Sequence, residues 1–442
     1  MATRRGLETS LGRWARARDR KPLLLCGPRR TGKTRALLDL GGTRFDDVVH
    51  VDFERDRDMA ALFTQGAPAD RALRDLGLLA GRPITPKTLL ILDEIHACPG
   101  AAAWLTSVGG QVPGQPVAAT TSLPGAIVDT LERTPSPGAV QVLPAGPLDF
   151  EEFLRALDKE ALADAIRERV TAGAPMPAPL HAACLRLARS YLLVGGMPQA
   201  VAAFAQGEDF AAVTEAQREI LDALSSDILR HCPRHLVRRA GAAFDSLPAQ
   251  LTKPNRRFQY GMVRRGGTAM AYEPAMDWLA NSGLVLKSPR VEEAIRPLTD
   301  YAMPMTFRAY MPDVGLLACR LNARPAAVLF GEAGRAAGAL VENFVAQQLR
   351  AAGHALHHWV SPNQVSVDFV LETRGGMLGV ETGQTISPKS QRLRAFMARY
   401  GLSRSLQISE AAFRDDGSIL SLPIYAVFCI HRPEAGPAPL AG

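Results

Sequence analysis

Residues 26–35 read CGPRRTGKTR, which places Gly27, Gly32, Lys33 and Thr34 at the spacing GxxxxGK[ST]. Glycines there let backbone N–H groups turn inward around phosphate oxygens, and the N-terminus of a following helix adds partial positive charge. Lys33 is placed to reach the β- and γ-phosphates, and Thr34 to ligate Mg²⁺. The expected nucleotide contacts are Gly27, Pro28, Arg29, Arg30, Thr31, Gly32, Lys33, Thr34 and Arg35. Some sixty residues on, TLLIL at 88–92 runs into Asp93 and Glu94. Asp93 would hold Mg²⁺ through water, and Glu94 would polarise an attacking water. A second carboxylate at this place favours hydrolysis over transfer to an acceptor.

These residues need a strand–loop–helix unit and a parallel sheet. PLLLC at 22–26 and TLLIL are continuous apolar runs of buried-strand type, and a helical pattern begins at Lys33. VVHVDF at 48–53 alternates, and PVAATTS at 116–122 ends in the hydroxyls of Thr120, Thr121 and Ser122. A hydroxyl there would suit a γ-phosphate sensor; a buried strand meeting a loop has the same composition. The expected class is α/β, a P-loop NTPase parallel sheet flanked by helices.

Two other groups carry chemistry. Glu342 sits on the amphipathic stretch ALVENFVAQQL, Asp368 in VSVDF and Glu381 in MLGVET. One helix acid followed by two strand acids is an arrangement that can hold the Mg²⁺ of a nuclease. Such a site also needs a lysine two residues beyond the second strand acid, and here that position is Gly383. Losing one preorganised cation costs roughly 2–4 kcal/mol of barrier, so a retained frame with lost or altered chemistry is the expectation. Lys389 is the candidate substitute. The second group is QLTKPNRRFQYGMVRRGG at 250–267, where Lys253, Arg256, Arg257, Arg264 and Arg265 interleave with Phe258 and Tyr260 without an acid. It could contact nucleic acid; a protein-docking module has the same appearance.

The totals set limits. A chain of 442 residues with 47% hydrophobic and 21% charged residues implies a folded protein of two or three domains. The net charge is +7, but only seven of the 51 basic residues are lysines. That skew follows composition and says little about partners. It makes each lysine in a motif more telling. The six cysteines form no CxxC pair and read as reduced, buried thiols. The longest charge-free run, 95–128, contains four prolines and five glycines, so no membrane span is expected. The N-terminal segment lacks the apolar region of a signal peptide, and a cytoplasmic location is expected.

Several motifs together resemble a group of prokaryotic AAA-type ATPases. They are LLLCGPRRTGKTR, VVHVDFERD, TLLILDEIHACP, ATTSLPG and LPAGPLDFEEFL, then YLLVGGMPQAV, WLANSGLVLK, YMPDVGLL, ALVENFVAQQL and HHWVSPNQVSVDFVL. The resemblance covers roughly residues 5 to 430. It implies a winged-helix segment and then a restriction-endonuclease-like α/β domain of unknown function behind the ATPase domain. Its implied divisions are an ATPase domain at 1–157, a helical lid-like subdomain at 158–230, a winged-helix-like region at 231–325 and a degenerate nuclease-like domain at 326–442.

The family's nucleotide site falls on Gly27, Gly32, Lys33, Thr34, Asp93 and Glu94, and its sensor-like serine on Ser122. His96 stands where most relatives have glutamine, and Ala139 where a basic residue is usual; Arg29, Arg30 and Arg133 are the candidates to replace that charge. The reading is a Mg²⁺-dependent ATPase acting as a switch, with a nucleic-acid or protein partner and an open oligomeric state. An ATP-dependent DNA nuclease and a binding module with structural ATP stand as alternatives.

Overall fold

The computed structural model describes residues 6–63, 68–125, 127, 138–332, 334–383 and 390–430. The chain divides into two compact units, one of residues 1–146 with 281–283, the other of residues 147–280 with 284–442.

In the first unit the apolar runs become parallel strands. They are β1 (Leu23–Cys26), β2 (Asp47–Asp52), β3 (Thr88–Asp93), β4 (Val117–Thr121) and β5 (Gln141–Pro144), in the order β2-β3-β4-β1-β5. Side chains alternate across a strand, so each buried strand feeds two cores. Leu24, Leu90, Leu92, Val117 and Ala119 pack with Leu73 and Leu76 of helix α3 (Ala69–Leu79) and Trp104 and Leu105 of α4 (Pro99–Gln111). Leu23, Leu25, Leu89, Ile91 and Ala118 face the other way. They meet Leu11 and Trp14 of α1 (Gly6–Arg16) and Leu37 of α2 (Lys33–Arg44). With both faces covered, the carboxyl ends of β1, β3 and β4 are left to form a polar edge, which is where ligands settle in such sheets.

The second unit begins with the PLDFEEFL segment. Asp149 caps the helix Phe150–Ala156 by accepting from Glu152 N–H at 2.8 Å, while Glu152 accepts from Asp149 N–H at 3.2 Å. This is the reciprocal cap expected of D-x-x-E. Helices Glu160–Thr171, Ala178–Val194, Pro198–Ala205, Phe210–His231 and Val237–Leu251 follow. After two more, Tyr260–Val263 and Ala269–Asn281, the chain forms an antiparallel pair, β6 (Leu286–Val291) and β7 (Ala302–Tyr310). Strand β6 starts at Leu286; Leu284 and Val285 precede it and are buried in the core.

Two mixed sheets complete this unit. One has the order β7-β6-β8-β9, with β8 at His358–Val360 and β9 at Ser366–Val367. The other has the order β10-β11-β12-β14-β13. Its strands are β10 (Phe369–Thr373), β11 (Gly376–Thr382), β12 (Ser405–Ser409), β13 (Arg414–Asp415) and β14 (Ile419–Pro423). The chain changes sheets at Asp368, between β9 and β10. Residues from 148 to 430 share one apolar core, with Phe150, Tyr191, Phe244, Phe307 and Phe344 among its members. The stretches read as 158–230, 231–325 and 326–442 all contribute to it. No described helix is long and apolar enough to cross a membrane.

Candidate functional site

The phosphate-type loop joins β1 to α2. Gly27 donates to Thr121 O at 3.2 Å, while Ala145 N–H donates to Cys26 O at 2.7 Å. A Cβ on Gly27 would collide with the Ala145 carbonyl. Gly32 has φ 84° and Arg30 φ 62°; the first is a conformation that glycine adopts without strain. Thr31 ties the loop to itself by donating to Pro28 O at 2.9 Å. Lys33, only 4% exposed, donates to Gly27 O at 2.8 Å and to Pro28 O at 2.9 Å. Burial pulls its ammonium pKa down, against the charges of Glu94 and Asp93.

Asp93 ends β3 beside three donors. Thr34 Oγ lies 2.9 Å from each of its oxygens, Thr120 Oγ hydrogen-bonds Oδ1, and His50 Nε2 lies 3.5 Å from Oδ2. Burial pushes the Asp93 carboxyl up, but the bonds from His50, Thr120 and Thr34 outweigh it and hold it below 3.8. The next residue, Glu94, has φ 49°, which is uncommon for a side-chain-bearing residue. That turn carries its carboxylate to Ser122, whose N–H and Oγ both donate to Oε2 at 2.8 Å. His96 Nδ1 lies 3.3 Å from the same oxygen. Burial raises the Glu94 pKa, yet His96, Lys33 and Ser122 together bring it to about 2, so Glu94 is a carboxylate at neutral pH.

The hydroxyl of Thr34, the carboxylates of Asp93 and Glu94 and a buried ammonium suit a magnesium–triphosphate group, since Mg²⁺ prefers oxygen donors. Two of the expected contact residues have protein partners. Arg29 pairs with Glu54. Arg35 points to solvent and bonds Asp39 at 2.9 Å, so the described geometry gives it no contact with the loop interior. Sequence reasoning missed His50, although its strand lies beside β3 in parallel register, and it did not foresee that Thr120 would bond Asp93. Ala139 lies past β4, and Arg133 falls outside the described residues.

The acids at 342, 368 and 381 fare differently. Glu342 is fully buried, and Asp368 and Arg308 are 6% and 7% exposed. Arg308 Nη1, from β7, lies 2.9 Å from both Glu342 Oε1 and Asp368 Oδ1. Tyr310 donates to Glu342 Oε1 at 2.7 Å, and Arg256 pairs with Oε2. Thr382 N–H donates to Asp368 Oδ2 at 2.9 Å. Glu381 stands apart, with Gln407 Nε2 at 3.4 Å and Arg392 at 4.0 Å. Gly383 offers only its backbone, donating to Ile408 O at 3.1 Å, and Lys389 lies outside the described residues. These acids do not fit a bare cation, because the guanidinium groups of Arg308 and Arg256 already stand against the carboxylates of Glu342 and Asp368 as fixed positive charges. Sequence reasoning missed Arg308 and Tyr310; their spacing of two puts them on one strand face, which was the available signal.

Of the basic segment, Arg257, Arg264 and Arg265 are exposed, and Lys253 is half-buried against Gln250 Oε1 at 2.9 Å. Arg256 alone is turned inward, to Glu342.

Residues 19–154 match the AAA domain family. Residues 185–327 and 337–425 match two domains of unknown function, DUF8612 and DUF4143. No curated protein matches the chain. Among solved structures, the chain is similar to the Walker-type ATPase PABY2304 of Pyrococcus abyssi at 17% identity, covering 72% of this chain and 96% of that one, with a TM-score of 0.43. It is also similar to the Aeropyrum pernix ORC1 protein in complex with DNA, at 18% identity, 72% and 90% coverage and a TM-score of 0.32. A third likeness is to the Thermotoga maritima RuvB Holliday junction branch migration motor, at 19% identity, 64% and 89% coverage and a TM-score of 0.30. Likenesses so distant leave the assignment to the family match, the sheet and the loop. On those grounds residues 19–154 form an AAA-type P-loop ATPase domain.

Proposed function

We propose that the protein binds ATP with Mg²⁺ at the loop 27–34, hydrolyses it slowly, and uses nucleotide occupancy as a switch for a partner of the second unit. The observation that carries this is the pair of adjacent acids held in different ways, Asp93 bonded to Thr34 and Glu94 turned onto Ser122. Thr34 and Asp93 would hold Mg²⁺, which when bound screens phosphate charge. Lys33 exchanges two loop carbonyls for phosphate oxygens, and the loop N–H groups orient the chain of phosphates. Glu94, ionised and aimed by Ser122 and His96, accepts a hydrogen bond from the attacking water and polarises it. Phosphate release by the full chain tests the reading. Lys33→Ala should abolish it and weaken ATP binding; unchanged release and affinity would overturn it.

For the partner, the exposed Arg257, Arg264 and Arg265 favour a nucleic acid. The following helix Ala269–Asn281 bears Glu273 and Asp277 and no cation, so phosphate contact would be confined to the segment before it. Binding to duplex DNA, single-stranded DNA and RNA should weaken steeply with salt and fall when these three arginines become alanines. A protein partner predicts neither.

A further inference from the structure

The buried acids of the second unit have an account of their own, independent of the nucleotide reading. Glu342 comes from the helix Gly334–Ala351, Asp368 from the crossover between two sheets, and Arg308 from β7. One guanidinium nitrogen serves both carboxylates at 2.9 Å. Arg256 adds a second cation at Glu342, and Tyr310 and Thr382 supply neutral donors to the two acids. Two negative charges thus meet two positive charges.

A divalent cation needs oxygen lone pairs at about 2.0–2.6 Å, and here those lone pairs face guanidinium and hydroxyl groups. A planar guanidinium cannot be deprotonated to make room. A guanidinium would therefore have to be displaced from the carboxylates before a metal could be chelated. Arg308 is also at the sheet junction, so its two bonds tie β7, the long helix and the crossover together.

We propose that Arg308 and Arg256 replace the divalent cation of a two-carboxylate centre, making this cluster a metal-free lock between the helix Gly334–Ala351 and the sheets. Its role is to hold the α/β layers in register and to fasten the loop bearing Arg256; it cleaves no phosphodiester. Arg256 is then unavailable to nucleic acid, and Arg257, its exposed neighbour, is not.

The test uses the full, nucleotide-free chain. Mn²⁺ is titrated to about 1 mM, the weak end of carboxylate sites, with bound ion counted by electron paramagnetic resonance. In parallel, Fe²⁺ with ascorbate and peroxide cuts the backbone wherever a metal is held. The expected result is no bound Mn²⁺, or bound Mn²⁺ with cuts only away from residues 342, 368 and 381, for example beside Thr34 and Asp93. Cuts next to any of those three acids would overturn the proposal, as would Mn²⁺-dependent nicking of plasmid DNA lost in Asp368→Ala. ATP turnover, measured separately, does not enter either outcome.

Discussion

Asp93 and Asp368 both end or interrupt a buried strand, and both lie below their ordinary pKa, yet their surroundings differ in kind. Around Asp93 burial works against ionisation and His50 and the hydroxyls of Thr120 and Thr34 oppose it. Around Asp368 burial is opposed first by the charge of Arg308 and its hydrogen bond. Hydroxyls can rearrange about an incoming cation, while a fixed guanidinium competes with it. The lesson is that a carboxylate motif is read for metal chemistry only after its countercharge has been identified.

The largest effect is expected at Arg308. Arg308→Met leaves two buried carboxylates short of a cation, and urea unfolding of the second unit should show a loss of about 3–5 kcal/mol. A loss under 1 kcal/mol would mean the lock is ornamental. Glu94→Gln removes the carboxylate charge that polarises water but keeps the shape. Steady-state phosphate release should drop about 100- to 1,000-fold while ATP affinity holds; equal rates would shift the catalytic role elsewhere.

A third carboxylate sharpens the contrast. Asp313 is fully buried among neutral donors, Gly196 N–H at 2.7 Å, Leu316 N–H at 3.1 Å and Gln347 Nε2 at 3.1 Å. Burial pushes its carboxyl up from 3.8 to about 6 despite those bonds. The folded chain keeps this proton after the unfolded chain has lost it, so the Asp313 contribution to stability falls as pH rises from 3.8 to about 6. Above that it levels off. Urea unfolding across this window should show the decline in the native chain and a flatter course in Asp313→Asn. The smallest effect belongs to Arg35→Ala. Its exposed pair with Asp39 predicts nucleotide affinity within about twofold of the native value, and a tenfold loss would restore Arg35 to the site.

How far the sequence reaches depends on how local the determinant is. The loop, β3 and the capping box of Asp149 are written in runs of ten residues or fewer, and their geometry follows the spacing. Ser122 was legible as a polar strand end, but its bond to Glu94 required the turn at φ 49°, which no composition announces. Arg308 lies 34 residues from Glu342 and 60 from Asp368. Pairings across such distances are set by sheet order, and a single sequence carries no periodic trace of them. The shared core of residues 148–430 was hidden for the same reason, since each helix looked amphipathic without naming its partner.

Gly27 fixes where the loop begins. Hydrogen-bonded toward β4 and pressed against the carbonyl of Ala145 beyond β5, the first turn of the loop is moulded by the sheet on either side. A ligand entering there would meet a first turn whose path the sheet has already set, so less conformational freedom would be forfeited on binding.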